Sequence, residues 1–115
     1  MMINIHNSGR YFEYQAMEWL QSHGYQTIRI PASAAGKQPL PDIIATKNSV
    51  VYAIEVKSTS NRLVRVDKFQ IDKLYRFCNV FSFCECKPIV MVRFKGSRQW
   101  KIVEVTRNAG IVVKL

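Results

Sequence analysis

The sequence predicts an α/β fold in which a central mixed β-sheet is flanked by helices. Three observations carry that reading. Segments of helical and strand periodicity alternate as helix, three strands, helix, then two or three strands. Runs such as Ile89-Val90-Met91-Val92 are apolar at consecutive positions, as in a strand buried on both faces. With 115 residues, 48% of them hydrophobic, the chain has the size of one domain, 1–115, with a real if small core.

Taken in order, Phe12, Ala16, Trp19 and Leu20 recur at helical spacing between Arg10 and His23, with Gly24 placed to stop the helix. Glu13 falls beside Leu20 on the helical wheel, at the margin of the apolar face, where an acid can look into a cleft. Tyr25 to Ile30 reads as a short strand that Pro31 ends. The stretch from Pro31 to Pro41 is a proline-bounded polar loop with Lys37 near its centre.

Asp42 to Thr46 and Val50 to Lys57 then form two strands of an antiparallel hairpin, turned at Lys47, Asn48 and Ser49. Asp42 starts one arm and Glu55 nears the end of the other, so the hairpin makes them neighbours. Ser58 to Val66 is expected to be a basic connecting loop carrying Arg62 and Arg65. Asp67 followed by Gln70 has the form of a capping box that opens a second helix running to about Phe81, with Leu74, Phe77, Cys78 and Phe81 as its buried stripe. Gln70 lies on that stripe, so its amide must find a hydrogen-bond partner. Ile89 to Phe94 and Gln99 to Val105 form another hairpin, and Ile111 to Val113 a short final strand.

The formal charge of +9 favours a polyanionic partner such as nucleic acid. No apolar run approaches the ~20 residues of a spanning helix, and Met1 to Arg10 has none of the regions of a signal peptide. A soluble, cytoplasmic protein with no membrane partner is expected. Three cysteines, Cys78, Cys84 and Cys86, are an odd count without a secretion signal, so reduced thiols are expected. The Cys84-x-Cys86 spacing does not suit zinc. His6 and His23 have no ligand pattern around them and read as surface or packing residues.

Glu55 and Lys57, two apart on one strand, project to the same face. Each charge there is costly to bury unless it is paired or holds a metal. Glu13, Asp42 and Glu55 together offer oxygen ligands suited to magnesium or manganese, and such a cation beside Lys57 suits phosphodiester hydrolysis. Individually, Glu13 can be a solvated helix acid, Asp42 a strand-entry residue, and Glu55 with Lys57 a same-face ion pair. Arg10, Lys37, Arg62, Arg65 and Lys68 are candidates for phosphate contacts on DNA, or simply a basic surface. Phe69, Tyr75 and Phe83 fall off the main stripe and suggest an interface.

Pro41-Asp42 followed by Glu55-Val56-Lys57 resembles the PD-(D/E)-x-K nuclease motif. The flanks are more specific. Gly9 with Glu13, then ASAAGKQPLPDIIA from Ala32 to Ala45, then EVKS from Glu55, resemble the archaeal-type Holliday junction resolvases in order and spacing, and Gln70 matches a glutamine of that family. The resemblance covers Gly9 to Phe81. It implies a restriction-endonuclease-like core and a symmetric homodimer that binds branched DNA, the four-way junction, and nicks two opposing strands with Mg2+, for which Mn2+ can substitute.

By position, the resemblance makes Asp42, Glu55 and the Val56 carbonyl metal ligands, and Glu13 a ligand or an orienter of water. Lys57 is then the catalytic lysine, Ser33 the active-site loop residue and Gln70 a supporting residue. One departure is Tyr14, where the family has arginine after the helix acid. A sequence- or mismatch-directed nuclease on the same fold and a silent junction-binding dimer are the alternatives, since fold does not set substrate choice.

Overall fold

The computed structural model describes residues 8–31 and 37–115. Ser33 and His6 lie outside the described residues.

Helix α1 spans Ser8–Ser22. It ends before Gly24, whose φ of +90° is open to glycine at little cost. Strand β1 is Gln26–Arg29, β2 Ile43–Lys47 and β3 Val50–Thr59. The β2–β3 turn is tighter than the sequence suggests. Only Asn48 and Ser49 make it, both with positive φ (52° and 66°), the backbone hand that matches the twist of a two-residue hairpin.

Strand β4 is Leu63–Val66, and α2 is Lys68–Asn79 with the Asp67 side chain accepting from the Gln70 N–H at 2.9 Å. Strands β5 (Glu85–Phe94), β6 (Trp100–Glu104) and β7 (Ile111–Lys114) complete the chain. Five strands form one sheet in the order β1-β2-β3-β5-β6, with β3 and β5 parallel and the other neighbours antiparallel. The sheet is therefore mixed, as expected.

The two buried faces of this sheet meet different helices. On one face Ile43, Ala45, Ile54, Ile89 and Met91 pack with Ala16 and Leu20 of α1. On the other, Ala53, Val90, Val92 and Phe94 pack with Ile71, Leu74 and Phe77 of α2. Alternate residues of β5 thus serve opposite cores, which explains why Ile89 to Val92 are apolar without a break. Among the described residues no helix is long and apolar enough to cross a membrane.

Four expectations need correction. The stretch Ser58 to Val66 is not simply a loop: β3 continues to Thr59, and β4 pairs antiparallel with β7 from Leu63↔Lys114 to Val66↔Ile111. Its partner lies more than 40 positions away, beyond the reach of local pattern. Strand β5 begins at Glu85 rather than Ile89, because β3 pairs along its whole length whereas β6 reaches only from Ile89.

The cysteines are not all reduced. Cys78, at the end of α2, and Cys86, at the start of β5, form a disulfide with Cα atoms 5.1 Å apart, and only Cys84 is free. The turn out of α2 brings the first two together. Tyr75, finally, is not an exposed aromatic: it packs on the α2-side core and its hydroxyl donates to the Val105 carbonyl at 3.2 Å. Phe69 and Phe83 are exposed as expected, at 79% and 83%.

Candidate active site

The site forms where β2 enters the sheet against the far end of β3. Asp42 stands just before the Ile43↔Ile54 pair, and its N–H donates to the Ile54 carbonyl at 3.0 Å, which holds it against the Glu55 end of β3. The Val56 N–H in turn donates to Asp42 Oδ2 at 2.9 Å. In an antiparallel pair a strand residue turns its N–H and C=O to the same neighbour. The Val56 carbonyl therefore faces the Asp42 side as well.

Glu55 is buried, 5% exposed, on the α2 face. Lys57 Nζ stands 3.5 Å from its Oε2, confirming that the two side chains share a face. Lys73 Nζ, from α2, stands 3.8 Å from its Oε1. That is an ion-pair distance and too long for a hydrogen bond, and Glu55 Oε1 is buried without a hydrogen-bond partner. Burial raises the Glu55 pKa above the ordinary carboxylate value, and the charge of Asp42 raises it further, with Lys73 and Lys57 opposing in part.

Glu13 reaches the same neighbourhood from α1. Its pKa is also raised, first by burial and then by the charge of Asp42. Its carboxylate, however, accepts a hydrogen bond from Arg29 Nη1 of β1 at 3.0 Å. Arg10, exposed on the first turn of α1, also lowers its pKa. Among the described residues no three His, Cys, Asp or Glu side chains stand together as a metal-holding group. The charge of Asp42 thus acts on both glutamates, and the three acids divide into Asp42 and Glu55, joined across the β2–β3 hairpin, and an acid engaged by arginine.

The hairpin pair fits a hard divalent cation. Two carboxylates, one with a buried oxygen lacking a hydrogen bond, and a backbone carbonyl turned the same way are oxygen donors of the kind magnesium takes.

The remaining candidates are placed less closely. Lys37, Arg62, Arg65 and Lys68 are exposed, like Arg10. Gln70 is half-buried, and its side-chain amide makes no hydrogen bond among the described residues. Lys73, one helical turn further on, reaches Glu55 instead. Lys73 and Arg29 are the site residues that sequence reasoning missed. The signal for Lys73 was its place next to Leu74 and three positions after Gln70, at the edge of the α2 stripe. No local pattern singles out Arg29.

The sequence profile of the archaeal Holliday junction resolvases (hjc) matches residues 4–114. The chain belongs to this family. It is 53% identical over 103 residues to a crossover junction endodeoxyribonuclease of Sulfolobus islandicus rod-shaped virus 1, covering 90% of this chain and 83% of the relative. It is 38% identical over 97 residues to a crossover junction endodeoxyribonuclease of Sulfolobus acidocaldarius, covering 84% and 69%.

The structure of a Holliday junction resolvase from Archaeoglobus fulgidus superposes with a TM-score of 0.77 at 22% identity, covering 90% of this chain and 85% of that one. That likeness shows the fold. The mixed sheet with a helix on each face is thus the architecture of a junction resolvase family member, and the resemblance carried by Gly9 with Glu13, the stretch Ala32 to Ala45, Glu55 to Ser58 and Gln70 pointed to the right family.

Proposed function

We propose that this family member is a Holliday junction resolvase: a single-domain, structure-selective endodeoxyribonuclease, acting on DNA inside the cell, that makes paired symmetric nicks in four-way junctions. The observation that carries the reading is the buried Glu55 with the half-buried Asp42 across the hairpin and Lys57 on the same strand face as Glu55. Asp42, Glu55 and the Val56 carbonyl would hold Mg2+, or Mn2+ in its place, which supplies Lewis acidity at the scissile phosphate when bound.

The chain's own residues do the rest. Lys57 directs its ammonium at the phosphate, where it balances the charge that grows on the phosphoryl oxygens as water attacks phosphorus and the ester P–O bond breaks. Glu13, held in place by Arg29, orients the attacking water and takes its proton. Ser33 and Gln70 act as supporting residues, and Arg10, Lys37, Arg62, Arg65 and Lys68 grip phosphates of the arms. Two copies related by a two-fold axis present two such sites to the two equivalent strands of a junction. The exposed Phe69 and Phe83 support an apolar contact between copies.

A labelled four-way junction and a linear duplex of the same arm sequence, each with magnesium or chelator, test this reading with Glu55→Gln as control. Paired nicks on the junction alone, dependent on metal and lost in the variant, are expected. Equal cutting of the duplex would instead mark a sequence- or mismatch-directed nuclease, and tight junction binding with no cutting under any metal a silent binder.

A further inference from the structure

A second polar feature lies on the opposite face of the sheet from Glu55. Gln15, Glu18, Trp19 and Ser22, spaced along one side of α1, line a cleft with Arg93 of β5, Arg98 of the β5–β6 turn and Trp100 of β6. Its volume is about 280 Å3, close to the lower end of the roughly 300–1,000 Å3 of small-ligand pockets. Both tryptophans of the chain are in it.

Arg93 is the unusual member. Its guanidinium carbon sits 4.7 Å from the Trp100 ring centroid, so the aromatic face holds it in place. Its other contacts are weak: Nη1 donates to the Ser97 carbonyl at 3.3 Å and Nη2 to Gln15 Oε1 at 3.4 Å. Nε is buried without a partner. Among the described residues no carboxylate stands within ion-pair distance of Arg93. A half-buried cation with no carboxylate partner can receive an anion through its weakly engaged Nη groups.

The register places this receptor beside the carboxylate site. Lys57 pairs with Val92, and the next pair along the same two strands is Ser58 with Arg93. Successive residues point to opposite faces. The lysine and the arginine therefore flank one end of the sheet from its two sides, so a strand of DNA crossing that end meets both.

We propose that this cleft is a subsite for one unstacked nucleotide of the DNA substrate, in which Trp100 takes the base, Trp19, whose ring stacks on His23 at 3.8 Å, walls the cleft, and Arg93 with Arg98 takes the phosphate. Base–aromatic stacking tolerates any base, as a structure-selective enzyme requires. Glu18 and Gln15 offer acceptors to base amino groups. A continuous duplex keeps its bases stacked and does not fill the cleft, whereas a branch point can release one. The inference deepens the resolvase reading and rests on it for the identity of the substrate.

Intrinsic fluorescence reports the cleft directly, because it holds every tryptophan of the chain. The full-length protein in chelator is titrated with a 5′-phosphorylated tetranucleotide and, separately, with a short blunt duplex of related sequence. The tetranucleotide is expected to quench saturably at a concentration about tenfold below the duplex, as one stacked base allows. Arg98→Glu, on the exposed rim, is expected to weaken that response about tenfold while the circular dichroism spectrum stays unchanged. A junction carrying 2-aminopurine at its branch point supplies a readout from the DNA side, brightening or dimming with wild type and not with Arg98→Glu.

An equal response to tetranucleotide and duplex, or an unchanged response in Arg98→Glu, overturns the subsite. Junction-specific cutting together with that result leaves the nuclease reading standing alone. Selective quenching by the tetranucleotide without cutting of any DNA supports the subsite and removes the resolvase reading.

Discussion

Glu13 and Glu55 are both acids with raised pKa values beside Asp42, yet the protein holds them in opposite ways. Glu13 has a short hydrogen bond to Arg29, which settles its charge within the protein. Glu55 has two ammoniums at 3.5 and 3.8 Å, a deeper position and an oxygen without a hydrogen bond. Its charge is opposed by location and only partly offset. The difference separates a residue suited to positioning from one suited to receiving a cation, and it follows from which strand neighbour each helix or hairpin supplies.

The largest effect expected from breaking this comparison is at Glu55. Glu55→Gln removes a ligand but leaves the shape, so junction cleavage should fall by more than about 100-fold, given that even outer-shell losses at metal sites cost roughly 10–100-fold. The same variant should melt no lower than wild type in chelator, since it relieves a buried charge; a clear fall in Tm would mean that Glu55 is a structural ion pair. Lys57→Met should lower the single-turnover cleavage rate by about 100-fold while leaving junction affinity nearly unchanged, with gel-shift titration and quenched-flow assays as the two measurements.

The Arg29→Met variant tests the other side. The pair is mostly buried, with side chains 16% and 18% exposed, so its loss should cost about 1 kcal/mol in denaturant unfolding. Cleavage should drop about tenfold, with metal affinity unaltered, because Glu13 loses its orientation and part of what keeps it ionised. A loss of metal binding in this variant would place Glu13 among the ligands and erase the distinction.

The smallest effect is in the pH dependence. The folded-state pKa values of Glu13 and Glu55 lie above their unfolded values, so ionising these groups opposes folding. The penalty is fully present above the folded pKa and is relieved as pH falls through it. A divalent cation needs the ionised form. The increase in Tm produced by Mn2+ should therefore fade on acidification at a higher pH than for an ordinary carboxylate site. Thermal scans at a series of pH values, with and without Mn2+, measure this, and Glu55→Gln should flatten the curve.

Several features were legible before any coordinates because they are local. A helix or strand period tells which face of a segment is apolar, so every element but β4 and the two-sided burial of Ile89 to Val92 could be read directly. A short hairpin turn forces its two arms together, so Asp42 and Glu55 could be read as neighbours from a turn expected at Lys47, Asn48 and Ser49, while the two-residue turn that sets the register came from the structure. Glu55 and Lys57 share a face through the pleat of one strand.

Other features were decided by the tertiary structure, since each needs a partner that no periodicity names. The stretch Leu63 to Val66 becomes a strand because β7 reaches it from the end of the chain. Cys78 and Cys86 bond because the turn after α2 folds the start of β5 against the end of the helix. Lys73 meets Glu55, and Arg29 meets Glu13, because packing a helix on a sheet selects which of its marginal residues touches which strand. Amino-acid sequence by itself determined the elements, β4 excepted, and the carboxylate pair, whose causes lie within a few residues; long-range pairing and packing decided β4 and which charges those carboxylates face.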